Sequence, residues 1–322
     1  MAPARAPYFS DMDGSLPEGT AYWVHTSDGV RIRVAHWGVS QAHGTILLLP
    51  GRTEYVEKYA QTAGEFGQRG FDVIALDWRG QGLSDRLVKN VRLGHVARFT
   101  DYQQDLTATV RLAQELDLTR PWHLLGHSMG AAIGLRAVME GLAVQSCAFT
   151  GPMWGISISP LMRPLGWSLS HLAPLIGRGL HLTPSTQIDS YVELAPFKDN
   201  MLTSDPDTYA MMKAQLAAHP KLSLGGPSLI WLREALRECR TLAARRSPDL
   251  PCLTFIGEGE QIIDRAAVLA RMRRWPRGML EITKGARHEI LMETPAIRAH
   301  VLDWIADFFT QSRRPIKISQ RV

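Results

Sequence analysis

Gly126-His127-Ser128-Met129-Gly130 sets one serine in a G-x-S-x-G pattern, between the apolar run Trp122 to Leu125 and the small residues Ala131 and Ala132. A nucleophilic hydroxyl has to stand exposed on a tight bend between a strand and a helix, and glycines two residues to either side let the two backbones pass. Ser128 is therefore the candidate nucleophile. At its ordinary pKa a serine reacts poorly, so it needs a base, and the base needs an orienting carboxylate. Of the eleven histidines, His288 has the best position, in a loop with Gly285 that follows a strand-like segment and lies downstream of a group of acids. His300 sits inside the last expected helix, where packing or surface exposure explains it. The acid is open between Glu258, Glu260 and Asp264, which all follow the apolar run ending at Ile256. Position ranks Glu258 and Glu260 together, with Asp264 behind them as the cap of the helix toward Leu269. Met129, at the start of the helix after the serine, offers a fixed backbone N–H to the charge that develops on a carbonyl oxygen under attack.

Strand-like and helix-like segments must alternate to place these residues, and through the first half of the chain they do. Residues 22–26 and 30–37, joined by Ser27-Asp28-Gly29, predict an opening antiparallel hairpin. Strands at 45–49 and 71–76 and helices at 55–68 and 102–116 lead to the serine-bearing strand, and a further strand at 146–150 follows the nucleophile helix. This is the pattern of an α/β fold with a mostly parallel central sheet and flanking helices. The rhythm breaks from Gly151 to about Arg240, where Pro152, Pro160, Pro164, Pro174 and Pro184 punctuate short apolar stretches, so 151–240 reads as a helical lid insertion and 1–150 with 241–322 as the core. Within the lid, Asp205 and Pro206 mark a helix start. Residues 161–180 are the most lipid-like stretch, interrupted by Arg163, Pro164, His171, Pro174 and Arg178, which fits lid helices better than a membrane span. Strands resume at 251–256 and 279–283, and Thr294-Pro295 opens a closing helix with Ile297, Val301, Trp304, Ile305 and Phe308 on one face.

Composition bounds the partners. The chain has 322 residues, 45% of them apolar, and a formal net charge of +5. Its basic residues gather at Arg237 to Arg246, Arg271 to Arg277 and Arg313 to Arg321, without aromatic interleaving or zinc-finger spacing, so solvated helix faces and contact with an anionic membrane are expected and nucleic acid is not. Cys147, Cys239 and Cys252 have no paired spacing, which predicts reduced thiols and no zinc site. Residues 1–17 hold no apolar core of a secretion signal, and no uncharged apolar run reaches the length of a membrane span. The expected location is cytoplasmic, with peripheral contact at the inner face of the membrane. Neither a cofactor nor a metal is expected, and oligomeric state is left open.

Three segments carry a family resemblance: Pro50-Gly51-Arg52-Thr53-Glu54-Tyr55-Val56-Glu57-Lys58-Tyr59, Asp77-Trp78-Arg79-Gly80-Gln81-Gly82-Leu83-Ser84-Asp85, and the serine pentapeptide itself. Together they resemble the monoacylglycerol lipase and lysophospholipase branch of the α/β-hydrolases. Asn200 to Asp205 and Gly225 to Leu232 are similar to the bacterial lysophospholipases in particular, and the resemblance spans Thr26 to Phe309. It implies an α/β-hydrolase fold with the order serine, acid, histidine. It implies Ser128 as nucleophile, His288 as base and Glu260 as acid, because Gly257 to Asp264 matches a segment whose fourth residue is the catalytic carboxylate. It also implies Arg52 as the second oxyanion donor, with Pro50 standing where the family usually has a histidine.

The implied activity is hydrolysis of carboxylic esters of monoacyl lipids, lysophospholipid or monoacylglycerol, through an acyl-enzyme. Near the oxyanion loop, Glu54 and Lys58 are candidates for contact with a polar head group. Met153, Trp154, Met162 and Trp167 are candidates for lining an acyl pocket or the lid core. The loop from Asp77 to Asp85 reads as structural. A small-ester or lactone hydrolase would use the same triad, and a lipid-binding module without turnover would keep the same fold.

Overall fold

A computed structural model describes residues 3–10, 18–159 and 163–312 of the chain. The expectations placed on Met162 and on the basic tail Arg313 to Arg321 fall outside them. Eight strands, β1 (Thr20–His25), β2 (Arg31–Trp37), β3 (Thr45–Leu49), β4 (Asp72–Asp77), β5 (Trp122–His127), β6 (Ser146–Thr150), β7 (Cys252–Gly257) and β8 (Gly278–Thr283), form one sheet in the order β1-β2-β4-β3-β5-β6-β7-β8. The opening hairpin β1–β2 is antiparallel and β2 meets β4 antiparallel, while every pairing from β4 to β8 is parallel.

Parallel strands need helices on both faces, so their residues are apolar in unbroken runs. In β3, Leu47 and Leu49 point to one core layer and Ile46 and Leu48 to the other. The first layer is covered by α2 (Tyr102–Glu115), α3 (Met129–Met139), α7 (Leu229–Ala244) and α8 (Arg265–Met272), through side chains such as Leu106, Ile133, Ala235 and Val268. The second is covered by α1 (Ala60–Gln68), entered by a 3-10 turn at Val56–Tyr59, and by α9 (Pro295–Gln311), through Phe66, Val301, Ile305 and Phe309. Truncating a leucine as enclosed as Leu47 removes about 2–5 kcal/mol of stability, because the cavity it leaves collapses only in part.

Between β6 and β7 the described residues form α4 (Arg163–Leu175), α5 (Tyr191–Leu194), α6 (Pro206–Ala218) and α7, with no strand of the sheet. Helix α6 begins as expected, since the Asp205 carboxylate accepts the Asp207 N–H and Pro206 takes the first helical position. The boundary expected at 240 falls inside α7, which runs on to Ala244 and is joined to α3 by Arg136 and Glu238, 2.6 Å apart. This segment is laced to the core by the Gly94 N–H donating to the Gly226 carbonyl at 3.0 Å and the Ser228 N–H donating to the Gly94 carbonyl at 2.8 Å. Arg92 adds ion pairs with Asp189 and Glu193 at 2.8 and 2.7 Å. Among the described residues, no helix is long and apolar enough to cross a membrane.

One basic residue departs from the solvated face expected of it. Arg271 is buried and donates to the Leu242 and Arg245 carbonyls and to Ser247, at the C-terminal end of α7, where the helix leaves carbonyls without partners. Burial pulls its pKa down to about 10.

Candidate active site

Ser128 stands between β5 and α3 at φ 50° and ψ −115°, a left-handed conformation that costs a non-glycine residue about 1–3 kcal/mol. Its flanking glycines are required by close approach. A Cβ on Gly130 would lie 2.1 Å from the Leu49 carbonyl oxygen, and one on Gly126 would lie 2.8 Å from the Ala131 Cα. The bend is held from the next strand, since the Ser128 N–H donates to the Thr150 carbonyl and the Met153 N–H donates to the Ser128 carbonyl, both at 3.0 Å.

The loops that leave β7 and β8 bring Glu260 and His288 to this bend. His288 Nε2 lies 2.9 Å from Ser128 Oγ, and His288 Nδ1 lies 2.7 Å from Glu260 Oε2. All three side chains are buried. The other Glu260 oxygen, Oε1, accepts the N–H groups of Ile262 at 2.7 Å and Ile263 at 3.2 Å. Burial alone would raise the pKa of Glu260; the bonds from His288 and from these two amides outweigh it and hold the carboxyl below its ordinary value. An ionised carboxylate only accepts, so Nδ1 carries the proton and Nε2 turns its lone pair to the serine hydroxyl. Gly151, at φ +49°, makes room for the imidazole: a Cβ there would lie 3.1 Å from His288 Nδ1.

The two other acids are engaged elsewhere. Asp264 caps α8 by accepting the N–H groups of Ala266 and Ala267, and Glu258 is exposed and accepts the Gly285 N–H at 3.1 Å. His300 is exposed on α9, edge-on to Trp304.

The loop after β3 is pinned on both sides of Arg52. The Gly51 N–H donates to Glu54 Oε2 and the Thr53 N–H donates to Gln81 Oε1 at 2.6 Å, whereas the Arg52 N–H between them meets no acceptor among the described residues. The Met129 N–H, first in α3, has no partner within the helix. Among the described residues two backbone donors thus remain available beside Ser128, one on the loop after β3 and one at the start of α3. Pro50, where an imidazole was expected from the resemblance, offers its carbonyl to Trp78 Nε1 at 2.8 Å.

Comparison with known proteins agrees with this geometry. Residues 40–295 match the family described as serine aminopeptidase, S33. Lysophospholipase L2 of Escherichia coli (strain K12) is 32% identical over 301 residues, which span 89% of this chain and 86% of that protein. The chain belongs to this family of α/β-hydrolases. Within the family it lies in the lysophospholipase and monoacylglycerol lipase branch; a monoacylglycerol lipase of Mycolicibacterium smegmatis is 28% identical over 277 residues, 82% of this chain and 88% of that one. A soluble variant of monoglyceride lipase from Saccharomyces cerevisiae shares the fold with a TM-score of 0.73 at 19% identity, covering 96% of this chain and all of that one, 100%.

In this hydrolase, Glu54 and Lys58, expected to contact a head group, are turned into a buried charge cluster. Both are buried: Lys58 Nζ lies 2.5 Å from Glu54 and 2.9 Å from Glu289, and the Tyr59 hydroxyl donates to Glu54 at 2.6 Å. His127 completes the cluster, with Nε2 3.2 Å from Glu289 Oε2 and Nδ1 near the Thr150 carbonyl and hydroxyl. Burial would neutralise these groups, but their mutual charges prevail and raise the pKa values of Lys58 and His127 while holding Glu289 well below the carboxylate range. Glu54, His127 and Glu289 place donor atoms within 4.8 Å of one another, a spacing that suits a cation, and the Lys58 ammonium bridges the two carboxylates there. The cluster ties the loop of Arg52 to the residue after His288.

Trp154 is a core residue. Its indole donates to the Ala131 carbonyl at 3.3 Å and packs on Phe149 and Trp275, under the start of α3. Met153 stays beside the serine through its backbone, and its side chain joins the same buried layer. Trp167 lies on α4, stacked on His171 with Arg240 over its ring. The loop from Asp77 to Asp85 is structural: buried Asp77 pairs with Arg33 at 2.7 Å and accepts the N–H groups of Val56 and Leu83. Sequence reasoning missed Gln81, His127 and Glu289. The last two are direct neighbours of Ser128 and His288, which is the signal that was available.

Proposed function

We propose that this chain hydrolyses the carboxylic ester of a monoacyl lipid through an acyl-enzyme on Ser128. The observation that carries the reading is the continuous relay from Ser128 Oγ through His288 to Glu260, at 2.9 and 2.7 Å, in a chain of this branch. His288 Nε2 takes the hydroxyl proton as Oγ attacks the ester carbonyl. The N–H groups of Arg52 and Met129 receive the developing oxyanion, as donors that need no reorganisation at the moment of reaction. Collapse expels the alcohol, protonated by His288, and water enters by the same route to release the fatty acid. Residues 151–240 act as the lid over the acyl site. Leu172, Leu175, Ile176 and Leu180 are exposed on α4 and the turn after it, with Arg178 among them, which supports peripheral contact of this lid with an anionic membrane surface.

Labelling by a fluorophosphonate, abolished in Ser128→Ala, tests the nucleophile, and labelling that persists in the variant refutes it. A chain-length series tests the substrate. A lipid site gains about fourfold in kcat/KM for each methylene it buries, at about 0.8 kcal/mol each, whereas a profile peaking at acetate or butyrate identifies a small-ester hydrolase. Vesicle binding with no turnover of any ester would identify a binding module.

A further inference from the structure

We propose that residues 200–205 of the lid position the catalytic base by holding the backbone that carries His288, a role that rests on the relay of Ser128, His288 and Glu260 read above.

The sheet does not fix His288 directly. Pairing of β8 ends at Thr283, and the chain from there to the 3-10 turn at Ile290–Met292 forms no regular element, so its buried amides need partners of their own. Gly285 and Ala286 are tied back to the loop after β7: the Gly285 N–H donates to Glu258, and the Ala286 carbonyl accepts the Gly259 N–H at 2.9 Å. The next three amides have other partners. The Arg287 N–H donates to Glu293 Oε1 at 2.7 Å, the Glu289 N–H donates to the Leu202 carbonyl at 2.7 Å, and the His288 N–H donates to the Met201 carbonyl at the longer distance of 3.4 Å. Two of the three amides centred on the base are thus held by carbonyls of the lid.

Those carbonyls belong to a turn that side chains hold in shape. Asn200 Oδ1 accepts the N–H groups of Leu202 and Thr203, both at 2.9 Å, which bends the chain back on itself. Arg287, the neighbour of the base, bridges the two ends of the turn by donating Nη1 to the Asn200 and Thr203 carbonyls at 2.6 and 3.2 Å. Thr203 Oγ1 donates to the Met292 carbonyl at 2.7 Å and accepts the Asp205 N–H at 3.0 Å, just where Asp205 caps α6. Glu293 closes the clasp, since the carboxylate that takes the Arg287 amide also accepts the N–H and the hydroxyl of Ser204. Asn200, Thr203 and Glu293 are buried, so bulk water does not replace a bond lost among them.

The relay has little tolerance for movement of this backbone. His288 spans 2.9 Å to Ser128 Oγ and 2.7 Å to Glu260 Oε2, and a shift of about 1 Å takes either contact out of hydrogen-bond range. A lid that swung as one body would draw the base away from Ser128, so this part of it belongs with the catalytic core.

The test measures the rate at which diisopropyl fluorophosphate, a probe small enough to need no acyl pocket, labels Ser128, alongside kcat and KM for a monoacyl ester. Rates are taken per titrated site, so a partly unfolded sample loses amplitude and not rate. Asn200→Ala frees the Leu202 and Thr203 amides, and Thr203→Val keeps the volume of the side chain while deleting its hydroxyl. Each is expected to slow labelling and to lower kcat about ten- to hundredfold with KM little changed. Thr203→Ser, which restores the hydroxyl, is expected to return both to within about threefold of wild type. If Asn200→Ala yields too little folded protein to titrate, the Thr203 pair carries the test. A lowered melting temperature with a wild-type labelling rate per site makes the turn a structural fastener and overturns the inference. A raised KM with unchanged labelling makes it a wall of the substrate site and also overturns it, as does a Thr203→Ser enzyme as slow as Thr203→Val. Labelling that persists in Ser128→Ala removes the relay and the inference with it, whereas loss of labelling there with full rates in the turn variants removes the inference alone.

Discussion

Replacing Glu260 by glutamine tests the relay more sharply than removing it. In the wild type, Oε1 is fixed by the Ile262 and Ile263 N–H groups and Oε2 faces His288 Nδ1. An amide has one acceptor end, and the two backbone donors will claim it, which turns the NH₂ end toward Nδ1. Nδ1 then has to accept, the ring proton moves to Nε2, and the atom facing Ser128 at 2.9 Å no longer has a lone pair for the hydroxyl proton. The same tautomer reversal in a serine protease triad lowers kcat about 10⁴-fold, which corresponds to about 5.5 kcal/mol of transition-state stabilisation. The expected result for Glu260→Gln is a fall in kcat of about 10³ to 10⁴ with KM little changed and a cooperative melt retained. Steady-state hydrolysis of a monoacyl ester, with the rate of fluorophosphonate labelling as a second readout, measures it. Glu258→Gln, at an exposed site, is expected to keep more than half of the wild-type rate, and Asp264→Asn, which still caps α8, to do the same. A Glu260→Gln enzyme with more than a tenth of wild-type kcat, or a larger loss in Glu258→Gln, refutes the argument.

The remaining predictions concern what holds the relay in place. Gly130→Ala forces a methyl to within 2.1 Å of the Leu49 carbonyl, so the elbow must open; calorimetry is expected to show a loss of about 1–3 kcal/mol, and hydrolysis to fall with it. Gln81→Ala releases the Thr53 N–H and loosens the loop of Arg52, with an expected drop of about tenfold in kcat and a change in melting temperature too small to explain it. Glu289→Gln leaves Lys58 and His127 under-compensated in a buried site and is expected to cost about 3–5 kcal/mol. That penalty has a defined pH dependence. Glu289 has a depressed pKa, so its contribution is full above the unfolded value of about 4.3 and is lost as pH falls toward the folded value. His127 has a raised pKa, so its contribution is full below about 6.5 and is lost as pH rises through the folded value. The stability gap between wild type and Glu289→Gln should therefore be widest between these two pH values, and a gap that is flat from pH 4 to 9 contradicts the charge assignment.

The parts of the site that were legible in the sequence are those where local backbone geometry and chemistry demand the same residues. Gly126 and Gly130 are glycines because Ala131 and Leu49 come within the reach of a Cβ, and a serine between them has few other reasons to be there. The parallel strands were legible because both faces are covered, which makes runs such as Thr45 to Leu49 apolar throughout. Glu260 was harder: three carboxylates follow β7, and what separates them is where each oxygen finds donors, the Ile262 and Ile263 amides for Glu260 against the first turn of α8 for Asp264.

The burial of Glu54 and Lys58 was not legible, because a Glu and a Lys four residues apart have the signature of a solvated helix face. Their burial depends on a carboxylate and an imidazole far along the chain, Glu289 and His127, which the topology delivers to the same spot by placing them beside His288 and Ser128. The charge cluster and the catalytic relay are thus parallel chains through the same two peptide links. One residue of each link belongs to the relay and the other to the charge cluster, which couples the position of the imidazole to the loop that presents Arg52. This coupling explains why the buried charges have to balance: an unpaired Lys58 would withdraw from the site and release the Gly51 amide's partner, Glu54, with it.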